Sequence, residues 1–154
     1  MSNGVPTTDA VRLNKQLRVY RAEGKKTTSV LLVDNQPAAR QGLLIWLTTE
    51  PEVTVVGEAG TGEEAIRMAR TLSPDVVLMD VEMPDMDGIA ATAALRATAP
   101  HVAVVILSLY DDTRTRARAR EAGAAAFVAK HQAKSPLLAT IRRVASTIER
   151  GDKP

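Results

Sequence analysis

From residue 29 onward the chain repeats one pattern five times: a short apolar run, then a stretch with apolar residues at helical spacing. Residues 30–33, Val-Leu-Leu-Val, are such a run, as expected of a strand buried on both faces. Pro37 suits the first turn of the helix that follows, where Leu43, Leu44 and Leu47 supply an apolar face and Glu50-Pro51 the end. Residues 53–56 are rich in β-branched side chains and predict a second strand. Thr61 and Glu64 form a capping box for a helix carrying Ala65, Ala69 and Leu72, which Ser73-Pro74 stops. Residues 76–79 give a third strand, and Ile89, Ala93, Leu95 and Arg96 a third helix closed by Pro100. Residues 102–107 are the most apolar strand. The spacing predicts a helix over 112–122, with Gly123 placed for its left-handed end. Residues 126–129 give the fifth strand. Ser135-Pro136 reads as a cap and first helical residue, after which Leu137, Leu138, Ile141, Val144, Ala145 and Ile148 keep helical spacing.

Short strands alternating with helices imply parallel β–α–β units, with helices covering both faces of one sheet. In such an open sheet, ligands bind outside the carboxyl ends of the strands. Residues 1–28 stand apart. They are polar and mixed, and the helical spacing of Leu13, Leu17 and Tyr20 is not continued. Composition makes them a flexible or weakly helical extension, or alternatively a basic arm for a partner. The domain is expected over 29–150, with a tail at 151–154 and no DNA-binding domain in the chain.

Composition narrows the chemistry. The chain has 154 residues, enough for one domain with its own core. Aromatics are only 3%, so that core is built from aliphatic side chains and Met. Without Cys, disulfides, thiolate catalysis and zinc-thiolate sites are excluded, and two His leave little for a histidine metal site. No run reaches the roughly 18–20 apolar residues of a membrane span, and no signal peptide is read, so a cytoplasmic location without membrane contact is expected. The net charge of +2 is uneven. Residues 1–28 hold six basic side chains (Arg12, Lys15, Arg18, Arg21, Lys25, Lys26) against Asp9 and Glu23, a balance of +4, which leaves −2 for the rest. A mildly acidic domain is not a general nucleic-acid binder.

The strand ends carry the candidate chemistry. The first ends in Asp34-Asn35, the third in Asp80 with Glu82 beyond it, the fourth in Ser108 and the fifth in Lys130. Taken singly, an Asp there is most often a cap or turn residue, a Ser a loop hydroxyl and a Lys a solvated charge. Their joint occurrence at four ends of one sheet edge is the specific signal. Two close carboxylates repel, and a hard divalent cation such as Mg²⁺ relieves that with oxygen ligands. Asp34, Asn35 and Asp80, with a backbone carbonyl near Glu82, could supply the protein's share. Asp80 could then attack a phosphoryl group, with Lys130 and Ser108 neutralising its oxygens.

These segments resemble the response-regulator receiver family across roughly 29–148. The matching stretches are VLLVDN at 30–35, VGEAGTGEE at 56–64, DVVLMDVEMPDMDG at 75–88, ILSLYDD at 106–112 and AGAAAFVAK at 122–130. The wording is most similar to the nitrate-regulator and quorum-sensing branch, which joins a receiver to a C-terminal helix-turn-helix. The resemblance implies a flavodoxin-like (βα)5 fold with strand order 2-1-3-4-5. It implies Asp80 as phosphoacceptor, Asp34 in the metal site, Ser108 as switch hydroxyl, Lys130 as phosphate-binding lysine and Phe127 as switch aromatic. A sensor histidine kinase would be the donor, homodimerisation on activation the readout, and DNA would be met only through an output domain.

Three features depart from the family pattern. Asn35 stands where a second acid usually ligates the metal, which predicts weaker Mg²⁺ binding. The helix over 112–122 carries Arg114, Arg116, Arg118 and Arg120, where relatives place apolar residues at about 116, 117 and 120. That predicts either a loosely packed helix with a docking face for an acidic partner, or arginine stems lying along the sheet with their heads in water. No helix-turn-helix follows before Pro154. Two functional classes therefore stand: a phosphorylated switch, and an interaction module that works without phosphorylation. A small α/β enzyme lacks support, because no glycine-rich phosphate loop or nucleophile elbow is present.

Overall fold

The computed structural model describes residues 27–130 and 134–149. The expected N-terminal extension, apart from its last two residues, and the tail at 151–154 lie outside the described residues. Strands β1 (Thr28–Val33), β2 (Val53–Ala59), β3 (Val76–Asp80), β4 (Ala103–Ser108) and β5 (Ala126–Ala129) alternate with helices α1 (Pro37–Thr48), α2 (Gly62–Leu72), α3 (Gly88–Thr98), α4 (Thr113–Ala122) and α5 (Lys134–Glu149). The strands form one sheet in the order β2-β1-β3-β4-β5, with every neighbouring pair parallel. This is the expected fold class.

Side-chain alternation splits the core in two. Val30, Leu32, Val76, Leu78, Ala103, Val105, Leu107 and Val128 pack on one face against α1 and α5. Leu31, Val33, Val77, Met79, Val104 and Ile106 pack on the other against α2, α3 and α4. Burying each Val or Leu contributes about 1.5–3 kcal/mol, which is why these strands read as unbroken apolar runs. Thr61 accepts from the Glu64 N–H at 3.1 Å, the first half of the capping box, while the Glu64 carboxylate accepts from the Gly60 N–H at 2.8 Å, one residue before the cap. Asp112 caps α4 through the Thr115 N–H at 2.7 Å, and this bond holds its carboxyl below the usual range. Gly123 takes the left-handed conformation, φ 98°.

The structure adjusts several local expectations. Strand β1 starts at Thr28, whose N–H is held by the Glu52 carbonyl at 2.8 Å. Helix α5 starts at Lys134, so Ser135 and Pro136 sit inside its first turn. Leu72 and Ala93 face solvent, and Ala91 and Thr92 take the buried positions of α3 instead. No helix among the described residues is long and apolar enough to cross a membrane.

Candidate functional site

Parallel strands in this order bring the carboxyl ends of β1, β3, β4 and β5 to one edge. Asp34 and Asp80 are 1% and 2% exposed there, two acids in a nearly dry setting. The Lys130 ammonium joins them, 3.1 Å from Asp34 Oδ2 and 3.1 Å from Asp80 Oδ1. Asp34 Oδ1 accepts the Gln36 N–H at 2.8 Å, so both its oxygens are engaged. The Glu82 N–H lies 3.4 Å from Asp80 Oδ1, at the long limit of a hydrogen bond. Burial lifts the Asp80 carboxyl above the usual carboxylate range; the Lys130 charge opposes this and the Asp34 charge adds to it. Burial pulls Lys130 down, but the charges of Asp80 and Asp34 and their hydrogen bonds outweigh it, so its ammonium is held above the usual lysine range.

Ser108, fully buried, ends β4, the strand between those that carry Asp80 and Lys130. Its hydroxyl accepts the Tyr110 N–H at 3.0 Å, and its carbonyl accepts the Lys130 N–H at 2.8 Å. Asn35 is half-buried beside Asp34 and Glu82 is exposed. Gly88 opens α3 directly against the end of β3, its N–H on the Val81 carbonyl at 2.8 Å. A β-carbon at this position would collide with the Asp80 carbonyl oxygen and stand 2.8 Å from its carbon. The Asp87-Gly88 step is therefore a geometric requirement of the site.

The four arginines of α4 divide. Arg116 lies over the Phe127 ring at 4.5 Å and pairs with Asp111 at 2.5 Å. Arg118 reaches Asp87, the N-cap of α3, at 3.3 Å. Arg114 and Arg120 are exposed. The charged head of Arg116 is thus held by an aromatic ring and a carboxylate, and Ala119 is the buried residue of α4.

Two residues of the site escaped the sequence reading. Arg40 is buried in α1; its guanidinium donates to the Asp34 carbonyl oxygen and, through Nε, to Glu58 Oε1 at 3.1 Å. A signal existed: Arg40 shares one buried stripe with Leu44 and Leu47, where a charge is out of place.

The donors at the strand ends are oxygen atoms, of the kind a hard divalent cation takes. Among the described residues no group of three or more His, Cys, Asp or Glu could hold a metal. Two carboxylates are what this chain brings, and the further oxygens would come from the Asn35 amide, main-chain carbonyls and water. Chemically, the edge offers a nucleophilic carboxylate with a fixed ammonium beside it and a hydroxyl on the strand between.

Residues 30–142 match the family described as the response regulator receiver domain. The response regulator protein VraR of Staphylococcus aureus is 34% identical over 117 residues, covering 76% of this chain and 56% of VraR. The chain thus spans about half the length of this curated relative. A two-component response regulator of the LuxR family from Aurantimonas sp. SI85-9A1 superposes with a TM-score of 0.76 at 30% identity, over 83% of this chain and 89% of that one. The response regulator domain of Thermotoga maritima CheB gives 0.73 at 30% identity, over 79% and 98%.

Proposed function

This chain belongs to the receiver-domain family of two-component response regulators, with relatives of the LuxR and NarL type, and we propose that it signals by accepting a phosphoryl group on Asp80. Receiver domains are signalling modules, and they generally use Mg²⁺ in phosphorylation. The observation that carries the reading is the Lys130 bridge: one ammonium 3.1 Å from each of two buried carboxylates.

Asp34, Asp80, the Asn35 amide oxygen and the Glu82 backbone carbonyl are the groups that would hold Mg²⁺. When bound, it supplies charge neutralisation between the carboxylates and the phosphoryl oxygens. An Asp80 carboxylate oxygen attacks phosphorus, the bond from phosphorus to the donor's leaving group breaks, and that group departs with its electron pair. Lys130 stays at hand to pair with the new phosphoryl oxygens. The Ser108 hydroxyl leaves the Tyr110 N–H and donates to the phosphoryl group instead. That shift moves the ends of β4 and β5, and with them Phe127, Arg116 and α4, as a two-state element biased by local charge. The donor is a sensor histidine kinase. The α4–β5–α5 face serves homodimerisation or an output domain, which is where DNA would be met and transcription controlled.

Asn35 supports a second reading, an interaction module that works without phosphorylation, because one negative charge is missing beside Asp34. Incubation with a small-molecule phosphoryl donor and Mg²⁺, followed by intact mass, separates the two. One added phosphoryl group, absent in Asp80→Asn, supports the switch; no addition in either Asn35→Asp or the unaltered chain supports the module.

A further inference from the structure

Arg40 and Glu58 form a buried ion pair beside the site, with side chains 6% and 3% exposed. Such a pair is a poor stability device. Desolvating two charges costs several kcal/mol per ion, and apolar side chains of similar volume often replace such pairs without loss. This pair is also incompletely satisfied. Glu58 Oε2 is buried without a hydrogen-bond partner, and burial raises the Glu58 carboxyl despite the arginine beside it. Something other than stability explains its geometry.

The geometry is directional. Arginine prefers to grip a carboxylate with two parallel N–H bonds. Here Nε donates to Glu58, at 3.1 Å, and a terminal nitrogen is spent on the main-chain oxygen of Asp34. Gly60 lines the same space: a β-carbon there would stand 3.4 Å from that nitrogen. The Asp34 carboxylate, on the same residue as the gripped carbonyl, is left to the Gln36 N–H and Lys130. A guanidinium released from Glu58 would still be tethered to the Asp34 carbonyl, and the carboxylate of that same residue offers it a fork-shaped acceptor.

We propose that Glu58 holds Arg40 as a brace on the Asp34 backbone and thereby keeps its guanidinium off the Asp34 carboxylate, preserving that carboxylate for a cation. Arg40 and Glu58 are then positioning residues. The proposal rests on the reading of Asp34 as part of a cation and phosphoryl site. It also accounts for a tolerated buried oxygen without a partner, since a satisfied bidentate pair would draw Arg40 away from the Asp34 carbonyl.

Three variants test it: Glu58→Met, Arg40→Met, and the double Met variant, whose apolar pair is expected to fold. Mn²⁺ is titrated into each, and paramagnetic broadening of the residue 34–36 and 80 amides is followed by NMR. Glu58→Met is expected to weaken Mn²⁺ binding about tenfold, the lower end for residues that orient metal ligands. The double variant is expected to recover most of that loss and to match Arg40→Met, because the damage requires a free guanidinium. Hydrogen exchange of the Gln36 amide, without any cation, should rank the variants the same way, fastest in Glu58→Met. A double variant as impaired as Glu58→Met in both measurements overturns the proposal, as does a Glu58→Met protein indistinguishable from the unaltered chain. Absence of Mn²⁺ binding in the unaltered chain would count against the cation site, while the Gln36 exchange ranking would still decide the brace.

Discussion

The Nζ of Lys130 lies 3.1 Å from Oδ1 of Asp80, although β4 runs between the strands that carry them. The side chain spans the end of that strand, and the Lys130 N–H is fixed to the Ser108 carbonyl on it at 2.8 Å. Any change of charge at Asp80 is therefore felt on β5 directly and on β4 through the same residue. Phe127, three residues before Lys130, lies under the Arg116 guanidinium of α4, 4.5 Å from ring centroid to Cζ.

Removing the bridge should cost stability. Lys130→Met leaves Asp34 and Asp80 facing each other without a counter-charge, and breaking a buried pair this way costs about 3 kcal/mol. Because the folded-state lysine pKa is raised, its contribution is fully present below the ordinary value of 10.5 and is lost as pH rises through the raised value. Urea unfolding at pH 7 and at strongly alkaline pH should show the variant far less stable than the unaltered chain at the first and similar to it at the second.

Neutralising the acceptor should do the opposite. Burial makes the folded protein hold a proton at Asp80 more tightly than the unfolded chain does. Stability therefore falls as pH rises from the ordinary 3.8 through the raised value, and stays lowered above it. Asp80→Asn removes this penalty while Lys130 keeps Asp34 at 3.1 Å. Thermal melts should place the variant a few degrees higher in Tm at pH 7, roughly the effect of 1 kcal/mol. The gap should close below about pH 4.

Gly88→Ala should damage the site without touching its charged groups. The added methyl meets the Asp80 carbonyl, so either β3 or the start of α3 must shift. Overpacking of this kind costs about 1–3 kcal/mol. Phosphoryl uptake at Asp80 should fall at temperatures where circular dichroism still shows the variant folded.

Helix α4 should be the most weakly protected helix of the domain. It buries Ala119, whereas α3 buries Ile89, Ala91, Thr92 and Leu95. Its exposed or half-exposed ion pairs to Asp111 and Asp87 add about 0–1 kcal/mol each. Native-state hydrogen exchange is expected to show lower protection over 115–121 than over 91–97. Arg116→Leu, which returns an apolar residue over Phe127, should narrow that difference.

The sheet was legible because both of its faces are buried: runs such as 30–33 and 76–79 have no polar interruption to confuse the period. The meeting of Asp34, Asp80 and Lys130 was legible because parallel topology gathers strand ends at one edge. What the sequence hid were relations that neither period nor motif encodes. Arg40 lies on an apolar stripe, but that it braces Asp34 depends on where β2 ends beside α1. The division of the α4 arginines depends on Asp87 and Phe127, distant in sequence and brought near only by the fold. Leu72 and Ala93 were assigned inward from spacing alone, while the packing of α2 and α3 buries smaller residues and Thr92, whose hydroxyl finds the Gly88 carbonyl at 2.7 Å.

Locating the phosphoryl group tests the account most directly. The chain is treated with a phosphoryl donor and Mg²⁺, reduced with borohydride, which converts an aspartyl phosphate to homoserine, and digested for peptide mass spectrometry. Homoserine is expected at position 80, dependent on Mg²⁺ and strongly reduced in Lys130→Met. Conversion at Asp34, Asp85 or Asp87 instead, or an unmodified Asp80 under conditions that label another receiver domain fully, would contradict it.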